Sequence, residues 1–90
     1  MPEPHRIVYA RRARRDLDRL APSVAWACLE FIAGALADNP RRVGKPLTRG
    51  RLAGRYAARR AAYRIVYAID DDARVVEVLR VDHRADVYRP

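Results

Sequence analysis

The chain has a single cysteine, Cys28, and two histidines, so neither a disulfide-stapled secreted scaffold nor a Cys/His zinc site is supported. A reducing, cytoplasmic setting fits that usage. Long apolar runs are missing as well. The longest are Val24 to Leu29 and Phe31 to Ala37, separated by Glu30 and well inside the chain, so no signal peptide or membrane span is expected. No glycine-rich phosphate loop, serine triad or carboxylate pair is found, and no metal or cofactor is expected. The most informative absence is local: from Arg41 to Arg64 there are nine Lys/Arg and no Asp or Glu.

That segment alone carries +9, while the other residues hold ten cations and eleven acids, so nearly all of the net charge of +8 sits in one stretch. Such a field attracts a polyanion. Nucleic acid is the first candidate, because each neutralised phosphate releases counterions; an acidic protein is the second. Lys45 is the one lysine among nineteen cations. Arginine supplies a planar fork that pairs bidentately with phosphate and stacks on bases, although the abundance of alanine points to genomic composition as part of that bias. Half of the 90 residues are apolar and a third charged, a globular balance, and the length suits one domain over 1–90.

His5 to Ala10, with Ile7, Val8 and Tyr9, reads as a first strand. In Arg11 to Leu20 the apolar residues Ala13, Leu17 and Leu20 form one narrow helical stripe before Pro22 breaks the chain. From an N-cap at Ser23, the positions Val24, Ala27, Cys28, Phe31, Ile32, Ala35 and Leu36 keep helical spacing until Asn39-Pro40. Arg41 to Gly54, with Gly44, Pro46, Gly50 and Gly54, reads as an irregular loop. Arg55 to Arg60 is a weak strand, Tyr63 to Ile69 a better one, Asp70-Asp71-Asp72 a turn, and Val75 to Val81 a returning hydrophobic strand. The tail from Asp82 is polar. The order β-α-α-β-β-β gives an α+β fold in which a helical hairpin packs on one face of a small twisted, mainly antiparallel sheet. The other face is left to carry the cations.

Strand alternation puts Tyr63, Ile65, Tyr67 and Ile69 on one face and Arg64, Val66 and Ala68 on the other. Arg55, Ala57 and Arg59 also share a face, so Arg55, Arg59 and Arg64 converge if the register allows; otherwise they are solvated surface arginines. His83, Arg84 and Tyr88 follow the last strand. An imidazole, a guanidinium and a phenol suit metal-free phosphodiester cleavage of RNA, in which the 2′-OH attacks its own phosphate and needs a proton acceptor, a proton donor and cations. The plainer reading has His83 as a polar strand end and Tyr88 as packing for the tail. His5 reads as a surface residue, Asp16, Asp18 and Glu30 as solvated helix charges, Cys28 as a small hydrophobe, and Trp26 as either a partner contact or the edge of the core.

The run Asn39-Pro40, Gly44-Lys45-Pro46-Leu47, Leu52-x-Gly54, Arg59-x-x-x-Tyr63-Arg64-x-Val66-Tyr67 and His83-Arg84-x-x-Val87-Tyr88-Arg89 resembles the RelE/ParE toxin superfamily, over nearly the whole chain. The resemblance implies a toxin held inactive by an antitoxin. RelE-like members cleave mRNA in the ribosomal A site, whereas ParE-like members poison DNA gyrase; the fold is shared and does not choose between them. Carried over by position, the phosphate and proton-transfer residues are Arg64, Arg84 and Tyr88, with His83 as the alternative at the Arg84 position. Lysines that some relatives carry in the strand at Arg55 to Arg60 are absent, so Arg55, Arg59, Arg60 and Lys45 are expected to hold RNA instead, and the proton acceptor falls to His83 or Tyr88. The partners implied are a RelB-like, acidic antitoxin in a hetero-oligomer, the ribosome and mRNA. The rival expectations are a gyrase inhibitor and a catalytically silent basic module.

Overall fold

The computed structural model describes residues 3–83. Strand β1 (Arg6–Tyr9) runs straight into helix α1 (Arg11–Asp18), and the Ala10 amide between them donates to the Val78 carbonyl at 2.8 Å. Helix α2 (Pro22–Phe31) starts with its proline at the first helical position, where the missing N–H costs nothing. It continues as a wider π-type turn over Ile32–Leu36. Widening the turn shifts the buried stripe by one residue, so Ala37 is buried and Ala35 is exposed, against the helical spacing read from the sequence.

The segment expected to be an irregular loop contains more structure than that. Pro40 opens a one-turn helix α3 (Pro40–Val43), Lys45–Pro46 form a short strand β2, and Gly50–Leu52 make a 3₁₀ turn. Strands β3 (Tyr56–Arg60), β4 (Tyr63–Asp70) and β5 (Val75–His83) complete a mixed five-stranded sheet in the order β1-β5-β4-β3-β2. Among the described residues only the β1–β5 pairing is parallel. The α+β architecture with a helical hairpin on a mainly antiparallel sheet is therefore as expected, with β2 and α3 added to the anticipated order.

Ala13 from α1 and Cys28, Ile32 and Leu36 from α2 pack on Ala58, Ile65, Tyr67, Val76, Val78 and Val81 of the sheet. Burial raises the Cys28 thiol pKa, in keeping with a small hydrophobe rather than a reactive nucleophile. Tyr67 is the largest fully buried side chain, and its hydroxyl donates to the Pro40 carbonyl while its ring stacks on Tyr56 at 5.9 Å. Gly44 makes that approach possible: a Cβ there would stand 2.1 Å from the Tyr67 hydroxyl oxygen. His5, expected at the surface, is instead tucked in. Its amide donates to the Ala37 carbonyl at 2.9 Å, and its side chain is 9% exposed.

Two expectations follow. Burial, with a smaller contribution from Tyr56, pushes the Tyr67 pKa up to about 12 from 10.0. The folded state thus holds a proton that the unfolded chain releases first, so the stability tied to this phenol is intact below pH 10 and is lost as pH rises towards 12. Chemical denaturation between those limits should show a steeper loss in the wild type than in Tyr67→Phe. Separately, Ala61 opens the two-residue β3–β4 turn at a φ of +55°, a conformation that favours glycine. Ala61→Gly should raise stability by about 0.5–1 kcal/mol in thermal unfolding, and a loss of stability would show that the strain is not there.

Candidate active site

The face of the sheet away from the helices carries the cations, and the strand register explains how. β3 pairs with β4 so that Arg59 lies directly opposite Arg64, and Ala57 opposite Val66. β2 adds Lys45 opposite Ala57, on the same face. Across the other edge of β4, Val66 faces Arg80 and Arg64 faces Asp82. These last two pairings depend on a bulge. The register slips between Val66 and Tyr67, leaving Leu79 of β5 as an extra residue. Before the slip Val76 and Val78 point to the helices; after it Val81 does, so Arg80 and Asp82 turn to the outer face.

Arg64 is the centre of this face. Its side chain is 28% exposed and forms part of the wall of three neighbouring depressions. The first, about 480 Å³, lies between α1 and β5 and also receives Arg12, Arg19, Arg80, Asp82 and His83. The second runs under the loop from Pro46 to Leu52 and adds Arg49 and Arg51. The third holds Lys45 and Arg59. The floor between them is apolar: Val66 is fully buried although it lies on the outer face, with Ala57 and Arg80 as its cross-strand neighbours. The register thus sets two guanidinium-bearing side chains, Arg59 and Arg64, side by side on the outer face.

Asp82 sits among the cations. Its Oδ2 lies 3.6 Å from Arg64 Nη2 and 3.4 Å from Arg80 Nε, and its Oδ1 accepts from Arg80 Nη2 at 3.5 Å. Arg64 Nε, Arg80 Nε and Asp82 Oδ2 are nonetheless buried atoms without a hydrogen-bond partner among the described residues. His83 lies opposite Tyr63 and meets it edge to face, with centroids 5.0 Å apart, at the rim of the first depression.

Of the residues expected from the sequence, Arg59, Arg64 and Lys45 converge on the outer face, while His83, paired with Tyr63 on the helix side of the sheet, borders the depression that Arg64 shares from its edge. Arg55 precedes β3 and lines none of the three depressions. Arg60 pairs with Tyr63 and shares the helix side of β3 with the core residue Ala58, away from Arg59 and Arg64. Arg84 and Tyr88, with Val87 and Arg89 of the same motif, lie outside the described residues. Arg41 belongs to the cationic segment but is drawn elsewhere: it donates to Asp71 and, at 2.9 Å, to the Tyr56 hydroxyl, and its guanidinium lowers the Asp71 pKa. Trp26 is 65% exposed on α2 and lines none of the three depressions.

Sequence reasoning missed Arg80 and Asp82, and the signal was present. The alternation Val76, Val78 breaks at Leu79 and resumes one residue late at Val81, which is how a bulge reads in one dimension. It also misread Asp16 as a solvated charge. β1 stops opposite Val78, and beyond it the Asp16 carboxylate accepts the Val81 amide at 2.9 Å, doing for that N–H what a neighbouring strand would. Asp16→Ala should leave this buried amide unpaired and cost about 1–3 kcal/mol in urea unfolding, with faster hydrogen exchange at Val81. Asp16→Asn keeps an acceptor and should lose far less; equal loss in both variants would point to charge rather than the hydrogen bond.

Comparison with known proteins adds the following. A family model described as the ParE toxin of the type II toxin-antitoxin system parDE matches residues 7–88. Two toxins of Mycobacterium tuberculosis are similar over 86 residues, which is 96% of this chain: Toxin RelG at 51% identity, with 98% of its own length covered, and Toxin RelE at 46%, with 88% covered. The toxin-antitoxin complex RelBE2 of the same organism contains a chain that superposes with a TM-score of 0.85 at 51% identity, over 92% of this chain and 94% of that one. The isolated Escherichia coli RelE toxin shares the fold, with a TM-score of 0.70 at 22% identity over 93% and 90% of the two chains.

Proposed function

Since the chain belongs to the ParE toxin family of type II toxin-antitoxin systems, within the RelE/ParE superfamily, we propose that it is a toxin of the RelE kind that cuts mRNA on the ribosome. The observation that carries this reading is the opposition of Arg59 and Arg64 across the sheet, beside Lys45 and Arg80, with Arg64 at the meeting point of three depressions. That geometry suits a phosphate at Arg64 with strand running away on either side. The RelE-type names of relatives at 46–51% identity support the same choice.

In the proposed reaction the ribose 2′-OH attacks the adjacent phosphorus, an O2′–P bond forms and the P–O5′ bond breaks. The products are a 2′,3′-cyclic phosphate and a 5′-hydroxyl, and no metal is required. Arg64 and Arg84 hold the charge that grows on the non-bridging oxygens. Held on the central strand β4, Arg64 needs little reorganisation as that charge develops. His83 and Tyr88 take and return the protons or stack on a base. An arginine is too basic to accept the first proton, so the base is sought in those two residues. Arg59 and Lys45 hold flanking RNA and Arg55 acts at its periphery, whereas Arg60, on the helix side of β3, stands apart from it.

Solved relatives include complexes of RelE with RelB. On that likeness the partner here is a RelB-like, acidic antitoxin forming a hetero-oligomer with the toxin in the cytoplasm. Among the described residues no helix is long and apolar enough to cross a membrane. A second reading is favoured by the matched family model itself, which bears the ParE name: a gyrase inhibitor without an active site of its own.

The deciding experiment is primer extension on a reporter mRNA in a reconstituted translation reaction. Wild type should give ribosome-dependent cuts at A-site codons, and Arg64→Ala should slow them by about 10²-fold or more. Tyr88→Ala should also suppress them. Intact mRNA at a dose that still stops growth would overturn the ribonuclease reading, and supercoiling inhibition that survives Tyr88→Ala would establish the gyrase one.

A further inference from the structure

Two carboxylates line the depression between α1 and β5 that Arg64 shares: Asp16 and Asp82. Asp16 is committed to the Val81 amide. Among the described residues Asp82 reaches the cations Arg64 and Arg80. Its side chain is 12% exposed, its Oδ2 lies between Arg64 and Arg80 at 3.6 and 3.4 Å, and the bulge in β5 is what brings it opposite Arg64. An acid at the centre of an anion-binding face weakens that binding.

We propose that Asp82 is a positioning residue: it clamps the Arg64 and Arg80 guanidiniums in the orientation that meets a phosphate, at the expense of ground-state affinity for that phosphate. This rests on the reading of Arg64 as the phosphate-binding residue. Two neighbouring guanidiniums repel each other, and each long side chain has several rotamers to lose; one carboxylate between them offsets the repulsion and selects a geometry. The same negative charge repels the incoming anion. The clamp thus shifts interaction from binding the substrate to meeting the charge that grows in the transition state, which is where it accelerates the reaction.

The two effects have opposite signs, and this separates positioning from a merely structural role. Asp82→Asn preserves size and removes the charge. In the full chain, inorganic phosphate should bind about threefold to tenfold more tightly to this variant, read from the arginine Nε–H resonances. Nitrogen relaxation of Arg64 and Arg80 should show greater side-chain mobility before phosphate is added. Saturating mRNA cleavage on the ribosome should slow by about tenfold to 10²-fold, while the half-saturating concentration falls rather than rises. Asp82→Glu, which keeps the charge on a longer arm, should recover part of the rate.

Unchanged arginine mobility in Asp82→Asn would overturn the proposal. So would phosphate affinity and rate falling together, or a rate in Asp82→Glu no better than in Asp82→Asn. If wild type cleaves no mRNA at all, the ribonuclease reading fails on its own, and the phosphate and relaxation measurements still decide the role of Asp82.

Discussion

A single extra residue in β5 decides which side chains share a face. Without the slip at Leu79 the strand would keep one phase throughout, and Arg80 and Asp82 would fall on the same side as Val76 and Val78, buried under the helices without solvent or partners. Burying two charges there would be prohibitive. With the slip, Val81 takes the core position and the two charged residues join Arg64 and Arg59 outside. The bulge therefore lets one nine-residue strand serve the hydrophobic core at both ends while feeding the cationic face in its second half.

The other fixed point is the contact between Tyr67 and Pro40. A tyrosine fully buried on the central strand needs a partner for its hydroxyl, and the carbonyl at the start of α3 provides it. The chain must then pass very close to the ring, which only a glycine at position 44 permits. From that point the backbone enters β2, places Lys45 beside Ala57, and closes the loop that carries Arg49 and Arg51 through the Leu47–Arg55 and Gly54–Leu47 hydrogen bonds. The position of half the cationic rim is thus set by a packing requirement of the core.

Much of this was legible in the sequence because strand alternation is a strong rule when one face is apolar. Arg64 pointing away from Tyr63, Ile65 and Tyr67, and Cys28 lying on the buried stripe, both followed from periodicity alone. What alternation cannot convey is register. Arg59 meets Arg64 only because the β3–β4 turn has two residues, and the same register sends Arg60 to the opposite face. Long-range partners were also hidden. His5 against Ala37 and Asp16 against Val81 join residues far apart in the chain, and a helical stripe drawn for α1 places Asp16 in solvent because it takes no account of a strand edge beside it.

The parallel pairing of β1 with β5 has a consequence for how the molecule is made. Arg6 to Tyr9 are synthesised early, yet their hydrogen-bonding partners, Val75 to Val78, are nearly the last residues of the described fold to emerge. Contacts that close so long a loop come late in folding, since chain entropy is lost before they contribute. The helical hairpin has no sheet to cover until β4 and β5 have paired, and β1 stays an open edge until β5 is in place beside it.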